Sequence, residues 1–439
     1  MDEQWLRELL ERATAGEPPI GPVARNSLRA GIRRRRRVQG GAACAAALAV
    51  ICVAVLAVSG ASGTGASGTS AATRTSPQTV YVLSANGTVT PISTVTNTPG
   101  KPIAAGRVAQ FMALTPNGKT LYVSDGNDTV TPIATATNTP GKPVKVGQDP
   151  GQILVTPDGQ TAYVADWAGV TPISTATNTP EKPITGTGPE SESPNAMAIT
   201  PDGRTLYVAS GNTLIPISTA TNTPGKPIVL RGQTNSPFTY QIIITPDGST
   251  LYVYNDNEPD IITPVSTATN TSGQPIPIAA DPAFAAAMTP DGKTLYVVAG
   301  NDGKDVVPIS TATNTPGQPI KVASGADDIV FTPDGQTAYV ASQCPTRARR
   351  LRLGCTGPPG EVTPISTAIN TPGTPIKVSS GNSLRFMGGF YSSAITPDGK
   401  TLYIISGNGS TVTPITTATN TPGQPINVAG NAQSIVITP

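Results

Sequence analysis

The chain has 439 residues, of which 13% are charged and 4% aromatic, and glycine and proline number 45 each. A hydrophobic content of 37% argues against wholesale disorder, and the many glycines and prolines favour a turn-dense, all-β chain. The sequence contains no histidine, which excludes Ser-His-Asp and Cys-His nucleophile systems and histidine-based zinc or haem sites. The net charge of +2 excludes a general polycation.

Residues 1–37 are predicted to form a cytoplasmic stub that ends in a run of arginines. Trp5, Leu6, Leu9 and Leu10 fall at helical spacing, with charged residues between them. This pattern predicts a short amphipathic helix that lies on the inner membrane surface. A docking helix for a cytoplasmic partner is the alternative.

An uncharged, apolar run at residues 38–60 predicts a transmembrane helix, because about 20 apolar residues are enough to cross a bilayer. Five arginines directly before it, Arg33 to Arg37, place the N-terminus in the cytoplasm and the rest of the chain outside. Because a membrane span follows these arginines at once, they do not indicate nucleic-acid binding. A signal peptide cleaved near Ser59 is the alternative.

Residues 61–78 are rich in glycine, serine and threonine and predict a flexible linker. From Thr79 to Pro439 the chain repeats itself at intervals of mostly 41 to 45 residues. A period of this length, built from β-type residues, is typical of propeller blades rather than of a helical solenoid. The repeat is anchored by Tyr81, Tyr122, Tyr163, Tyr207, Tyr252, Tyr296, Tyr339 and Tyr403.

Each repeat divides into four short predicted strands, called A to D. Strand A is an apolar run, and a Thr-Pro-Asp-Gly turn leads from it to strand B, which reads Thr-Leu-Tyr-Val. Strand C reads Thr-Val-Thr-Pro-Ile, and a Thr-Asn-Thr-Pro-Gly turn leads from it to strand D. Proline is awkward inside a central strand, so we expect it at a bulge or an unpaired position.

The order of the strands predicts how the array closes. The chain enters at strand B, near Thr79, and stops after a strand A, at Pro439. The last strand A therefore completes the first blade, and this closure removes the exposed edges of an open array. We predict an all-β, eight-bladed β-propeller closed by N- and C-terminal strands and preceded by one transmembrane helix. A seven-bladed ring is the alternative.

The recurring Thr-Pro-Asp-Gly-Lys-Thr-Leu-Tyr-Val and Thr-Val-Thr-Pro-Ile segments resemble the YVTN-type β-propeller repeat family, over about 360 residues. The resemblance implies a propeller at the cell surface, similar to surface-layer propellers and more distantly to lactonase-like and quinoprotein-like ones. Members of the family usually have seven blades, so the count here departs from the common pattern. The alanine-rich anchor with its arginine flank resembles an actinobacterial membrane protein.

Three residues after the repeat tyrosine, strand B reaches a possible ligand position. Asp125 and Asp166 stand there in neighbouring blades, and Trp167 follows directly. Two adjacent carboxylates suggest a bound cation or a shared proton; solvated acidic turns are the alternative. No Asp-x-Asp-x-Asp calcium loop is present, and we predict no metal site and no cofactor.

A long insertion replaces the turn between strands B and C in the seventh repeat. Its two cysteines, Cys344 and Cys355, are the only ones outside the predicted membrane span, and we expect a disulfide in an oxidising exterior. The loop suggests either a stapled solvated segment or a basic finger that docks on an anionic partner. Its arginines are Arg347, Arg349, Arg350 and Arg352.

These features together predict a membrane-anchored extracellular propeller that acts as a binding or interaction scaffold and is not an enzyme. The expected partner is a cell-envelope polymer or a surface protein, with no nucleic acid. The alternative is a surface enzyme of the lactonase-like or cofactor-dependent propeller type. An enzyme needs several convergent polar residues at the mouth of the channel.

Overall fold

The computed structural model shows a chain whose regular elements, in the part that it describes, are all strands. In that part no helix has the length and hydrophobicity to span a bilayer. The predicted stub, the membrane span and all but the last residue of the linker lie outside it. The described residues are 78–187, 194, 196–232, 239–255, 261–278, 285–300, 303–342, 360–378, 393–406 and 409–439.

The strands form eight antiparallel sheets, each with the order A-B-C-D, and each sheet is one blade. The eight-bladed, all-β propeller predicted from the repeats is confirmed. From blade 1 to blade 8, strand A spans Ala432–Ile437, Ala109–Leu114, Ile153–Val155, Ala196–Ile199, Thr239–Ile244, Ala286–Met288, Ala326–Phe331 and Ser393–Ile395. In the same order, strand B spans Thr79–Ser84, Thr120–Asp125, Thr161–Asp166, Thr205–Ser210, Thr250–Asn255, Thr294–Ala299, Thr337–Ser342 and Thr401–Ser406.

Strand D is divided into two short pieces that pair with the two ends of strand C. From blade 1 to blade 8, strand C spans Thr88–Ser93, Thr129–Ala134, Gly169–Ser174, Thr213–Ser218, Ile261–Ser266, Asp305–Ser310, Glu361–Ser366 and Thr411–Thr416. The first piece of D spans Thr139–Pro140, Thr179–Pro180, Thr223–Pro224, Thr271–Ser272, Thr315–Pro316, Thr371–Pro372 and Thr421–Pro422 in blades 2 to 8. The second piece spans Ile103–Ala104, Val144–Lys145, Ile228–Val229, Ile276–Pro277, Ile320–Lys321, Ile376–Lys377 and Ile426–Asn427 in blades 1, 2 and 4 to 8.

The divided D strand explains the proline inside every strand C. In blade 2, Pro132 is in register with Tyr122 of strand B, and its carbonyl accepts a hydrogen bond from Gly141 at 2.7 Å. The N and C=O of one strand residue face the same side, so the proline nitrogen faces the gap between the two pieces of D. The missing N–H therefore leaves no carbonyl of a neighbouring strand without its donor. The proline lies at an unpaired position, one of the two that the sequence predicted, and not at a bulge.

Each Thr-Pro-Asp-Gly turn is stabilised by its own side chains. In blade 4, Asp202 accepts hydrogen bonds from the Thr200 hydroxyl at 2.6 Å and from the backbone N–H of Arg204 at 3.0 Å. Gly203 has a φ of +72°, which glycine adopts without strain. The Thr200 hydroxyl, followed by the Arg204 N–H, holds the pKa of Asp202 below its usual value. Local chemistry thus fixes the hairpin between strands A and B.

Strand B is the buried centre of every blade, and its repeat tyrosine joins that blade to the next one. All eight tyrosines are almost fully buried, and each phenol donates a hydrogen bond to the Oδ1 atom of an asparagine in the C–D turn of the following blade. In seven pairs the distance is 2.6 to 2.8 Å. The pairs are Tyr81–Asn138, Tyr122–Asn178, Tyr163–Asn222, Tyr207–Asn270, Tyr252–Asn314, Tyr296–Asn370, Tyr339–Asn420 and Tyr403–Asn97.

These hydrogen bonds form a complete ring, because Tyr403 of blade 8 bonds to Asn97 of blade 1. All eight asparagines have φ values between 51° and 54°. Asparagine tolerates this left-handed conformation better than most residues and also supplies the acceptor oxygen. The Thr-Asn-Thr-Pro-Gly turn therefore serves both as a turn and as the contact between blades.

The ring is also closed by the main chain, as predicted. Strand A of blade 1, Ala432–Ile437, pairs with Thr79–Ser84 at the other end of the array. Beyond it, the N–H of Thr79 donates to the Thr438 hydroxyl at 2.9 Å, and the N–H of Thr438 donates to the Thr79 carbonyl at 3.0 Å. Strand B of blade 1 therefore has a paired strand on both sides.

A double-mutant cycle tests the contact between blades. We expect Tyr122→Phe to lower the free energy of unfolding by about 1–2 kcal/mol, because one buried hydrogen bond is lost. Asn178→Gly removes the acceptor oxygen and keeps the positive φ without strain. In urea unfolding, the effect of the double variant should differ from the sum of the two single effects by about 1 kcal/mol. Additive effects of the two substitutions would contradict the contact.

The tyrosines also predict an alkaline transition. Burial raises the pKa of Tyr81, Tyr122, Tyr163, Tyr252 and Tyr403 from 10.0 to about 12. The unfolded chain loses these protons first, so the free energy of unfolding should fall as pH rises from about 10 to about 12. Tyrosinate absorbance at 295 nm should then appear together with the loss of β-sheet circular dichroism. Full ionisation near pH 10 in a folded protein would contradict burial.

Candidate functional site

The propeller has two faces that carry different turns. The A–B and C–D turns lie on one face, where the Thr135 hydroxyl of a C–D turn donates to the Gly118 carbonyl of an A–B turn at 2.6 Å. The B–C turns and D–A connections lie on the other, where the N–H of Trp167 donates to the Gln148 carbonyl at 3.0 Å. We call the second one the loop face.

Asp166 lies at the end of strand B in blade 3 and is 1% exposed. Its Oδ2 atom accepts hydrogen bonds from the N–H of Gly147 at 3.0 Å and from the Thr171 hydroxyl at 2.5 Å. Its Oδ1 atom accepts one from the N–H of Ala168 at 2.9 Å. A Cβ atom at Gly147 would lie 2.3 Å from the carboxyl carbon, so only glycine fits there. The carboxylate thus ties together a D–A connection, a B–C turn and strand C.

Asp125 has the equivalent position in blade 2 and is 4% exposed. Its Oδ1 atom accepts hydrogen bonds from the N–H of Asn127 at 2.8 Å and from the Thr129 hydroxyl at 3.0 Å. A Cβ atom at Gly106 would lie 2.3 Å from its Oδ2 atom. Within the described part of the chain, no hydrogen-bonded group bridges Asp125 and Asp166, and each carboxylate orders the turn of its own blade.

The structure does not bring the two carboxylates together around a shared cation or proton, the possibility that their spacing suggested. Among the residues that the structure describes, no group of three or more acidic, cysteine or histidine side chains is arranged to hold a metal ion. Neither carboxylate is a solvated acidic turn, which was the alternative, because both are buried. Sequence spacing placed the two aspartates in neighbouring blades correctly but did not show their hydrogen-bond partners.

Trp167, unlike the buried Asp125 and Asp166, is 63% exposed on the loop face. Its backbone is held on both sides, because its own N–H bonds to Gln148 and the next N–H bonds to Asp166. The exposed indole therefore stands on an ordered turn. An aromatic side chain on an ordered turn binds a ligand with a smaller loss of backbone entropy.

The insertion in blade 7 lies outside the described residues, so the predicted disulfide between Cys344 and Cys355 remains a prediction. The same holds for the basic finger formed by Arg347, Arg349, Arg350 and Arg352. The strands on both sides of the insertion, Thr337–Ser342 and Glu361–Ser366, pair in full register. The insertion therefore begins and ends at the loop face without disturbing its blade.

Sequence reasoning missed several polar residues on or directly before strand A, the strand that contacts its counterpart in the next blade around the ring. Gln152, directly before strand A of blade 3, makes two hydrogen bonds to the backbone of Met197 in the next blade, at 2.7 and 3.2 Å. Asp328, on strand A of blade 7, accepts a hydrogen bond from Ser393 of blade 8 at 2.7 Å. Polar residues at an otherwise apolar strand A were the available signal, and here they join two blades.

Comparison with known proteins supports the fold. No protein-family model and no curated protein sequence matches the chain. The dihydro-heme d1 dehydrogenase NirN in complex with DHE aligns with a TM-score of 0.67 at 12% identity, over 82% of this chain and 75% of that one. AztD from Citrobacter koseri aligns with a TM-score of 0.58 at 11% identity, over 82% and 97% of the two chains. At these identities the likeness shows a β-propeller and no more.

Two neighbouring substitutions separate the roles of the buried carboxylate and the exposed indole. We expect Asp166→Asn to lower the free energy of unfolding by about 1–3 kcal/mol, because an amide cannot accept all three hydrogen bonds. Trp167→Ala should change it by less than about 0.5 kcal/mol, since the ring is exposed. Denaturant unfolding measures both, and equal effects would contradict the assignment.

Proposed function

We propose that the chain is a membrane-anchored, extracellular propeller of the YVTN-repeat type that binds a cell-envelope component through its loop face. The observation that carries the proposal is Trp167, an exposed indole on a hydrogen-bonded turn of that face. Exposed aromatic side chains on fixed turns are common centres of recognition. The predicted arginine finger, which lies outside the described residues, is also inserted on this face, between Thr337–Ser342 and Glu361–Ser366.

The position of the anchor is consistent with this role. The first described residue, Gln78, accepts a hydrogen bond from the N–H of Thr94, a residue of the C–D turn of blade 1. The linker therefore joins the propeller on the face that carries the A–B and C–D turns. The loop face lies opposite this attachment point and is accessible to a partner. The predicted anchor at residues 38–60 and the outward orientation remain part of the proposal.

We propose a binding role rather than an enzymatic one. The chain has no histidine for general base catalysis. The two buried carboxylates that the sequence singled out, Asp125 and Asp166, are engaged in hydrogen bonds to turn atoms. These hydrogen bonds stabilise the turns, which favours a structural role for both carboxylates over a catalytic one.

The experiment tests both the side of the membrane on which the propeller lies and its binding to the cell envelope. A membrane-impermeant amine reagent should label propeller lysines on intact cells that express the full-length chain. The purified chain in a neutral detergent should sediment with isolated cell-wall sacculi, and Trp167→Ala should weaken this sedimentation by about tenfold. Val95→Ala is a matched control, because Val95 is also exposed but lies in a C–D turn.

Two results would contradict the proposal. One is a chain whose lysines react only after the cells are broken, which would place the propeller in the cytoplasm. The other is unchanged sedimentation of the Trp167→Ala variant, or equal losses in the Trp167→Ala and Val95→Ala variants. Both variants should unfold at the same denaturant concentration as the parent chain.

A further inference from the structure

The outer edge of the ring carries an asymmetry in charge. Between the two pieces of strand D, each repeat has one exposed residue directly before a proline. In blades 1 to 4 this residue is always a lysine, and in blades 5 to 8 it is an amide or a hydroxyl residue. The eight residues are Lys101, Lys142, Lys182, Lys226, Gln274, Gln318, Thr374 and Gln424.

A second position on the outer edge extends the asymmetry. Lys145 of blade 2 is exposed and is in register with Thr129, an uncharged residue. The equivalent Lys321 of blade 6 forms an ion pair with Asp305 at 2.7 Å. Lys377 of blade 7 is in register with Glu361. An acidic residue on strand C therefore compensates the lysine in blades 6 and 7, whereas the lysine of blade 2 faces an uncharged residue on strand C.

One of these lysines has an acidic residue directly before it in the sequence. Glu181 precedes Lys182 in blade 3, and its Oε2 atom accepts a hydrogen bond from the side chain of Asn222 at 3.1 Å. Among the described residues, the ion pairs found do not include any of the lysines of blades 1 to 4. These ammonium groups are available to an external anion.

We propose that Lys101, Lys142, Lys145, Lys182 and Lys226, here called the lysine arc, bind a flexible phosphate-bearing polymer that follows the outer edge of the propeller. Lysine binds phosphate as a point charge and needs no fixed fork geometry. An array of single lysines at one position per blade therefore suits a chain of repeating phosphates. The inference depends on the proposed binding role but uses a different surface from Trp167.

The curvature of the ring favours a flexible polymer over a membrane. Eight blades turn the outer edge by about 45° at each step, so Lys101 and Lys226 are separated by about 135° around the ring. A flat bilayer beside a convex edge contacts one sector only, and beyond about 8 Å its charge is largely screened at physiological ionic strength. A flexible polyanion can bend around the edge and contact all four blades.

Lysine footprinting tests this surface directly. The full-length chain in a neutral detergent is acetylated with and without inorganic polyphosphate of about 100 phosphates, and modified lysines are quantified by mass spectrometry. We expect acetylation of the lysine arc to slow by about threefold or more. Four exposed lysines elsewhere serve as internal controls and should react at an unchanged rate: Lys293, Lys321, Lys377 and Lys400.

Two fourfold variants with the same change in net charge provide the matched comparison. The first replaces Lys101, Lys142, Lys182 and Lys226 with Gln, and the second replaces Lys293, Lys321, Lys377 and Lys400 with Gln. The first should bind polyphosphate about tenfold more weakly or worse, with a salt slope smaller by about 3, as expected for four lost phosphate contacts. The second should match the parent chain. Gln274→Lys together with Gln318→Lys should strengthen binding.

Three results would overturn the proposal. These are uniform protection of all lysines, equal losses of affinity in the two fourfold variants, and protection of the lysine arc by vesicles of phosphatidylglycerol and phosphatidylcholine but not by polyphosphate. None of them involves the loop face. Failure of the lysine arc therefore leaves the test of Trp167 unaffected, and failure of the Trp167 test leaves this footprint interpretable.

Discussion

The architecture depends on one hydrogen bond, repeated eight times, between a buried tyrosine of one blade and an asparagine of the next. A blade of four short strands is not stable in isolation, because both faces of its B strand are apolar and must be covered. The tyrosine covers part of that surface and fixes the rotation between blades through its phenol. Since each contact involves only neighbouring blades, the propeller closes only if the last blade meets the first.

This arrangement separates stability from recognition. The face with the A–B and C–D turns carries the asparagines, the capped Asp-Gly turns and the junction of the two chain ends, and its sequence varies little among blades. The loop face carries the irregular connections and the exposed indole. Asp166 connects the two roles, because its buried carboxylate orders the turn that carries the exposed indole. The outer edge varies in charge without affecting either face, since its lysine side chains are exposed at the rim of the ring.

Much of the fold could be predicted from the sequence, because the same turn residues and strand patterns recur in every repeat. The Thr-Pro-Asp-Gly turns, the buried Tyr-bearing strand and the offset between the first and last strands were sufficient to predict eight blades and their closure. The asparagine partner of the tyrosine could not be found in this way, since it lies 56 to 81 residues further along the chain, or 306 residues back for Tyr403. The roles of Asp125 and Asp166 were missed for a similar reason, because spacing does not show which N–H groups a carboxylate accepts from.

Amide hydrogen exchange in the closing strand, Ala432–Ile437, tests the central claim most directly. If the two chain ends form one blade, these amides should exchange as slowly as those of Ala109–Leu114 in blade 2, which occupies the same position in a blade with no chain end. Both segments then open only when the ring opens. Exchange in the closing strand at the rate of an unstructured peptide, with blade 2 still protected, would show that the ring is open and would contradict the account.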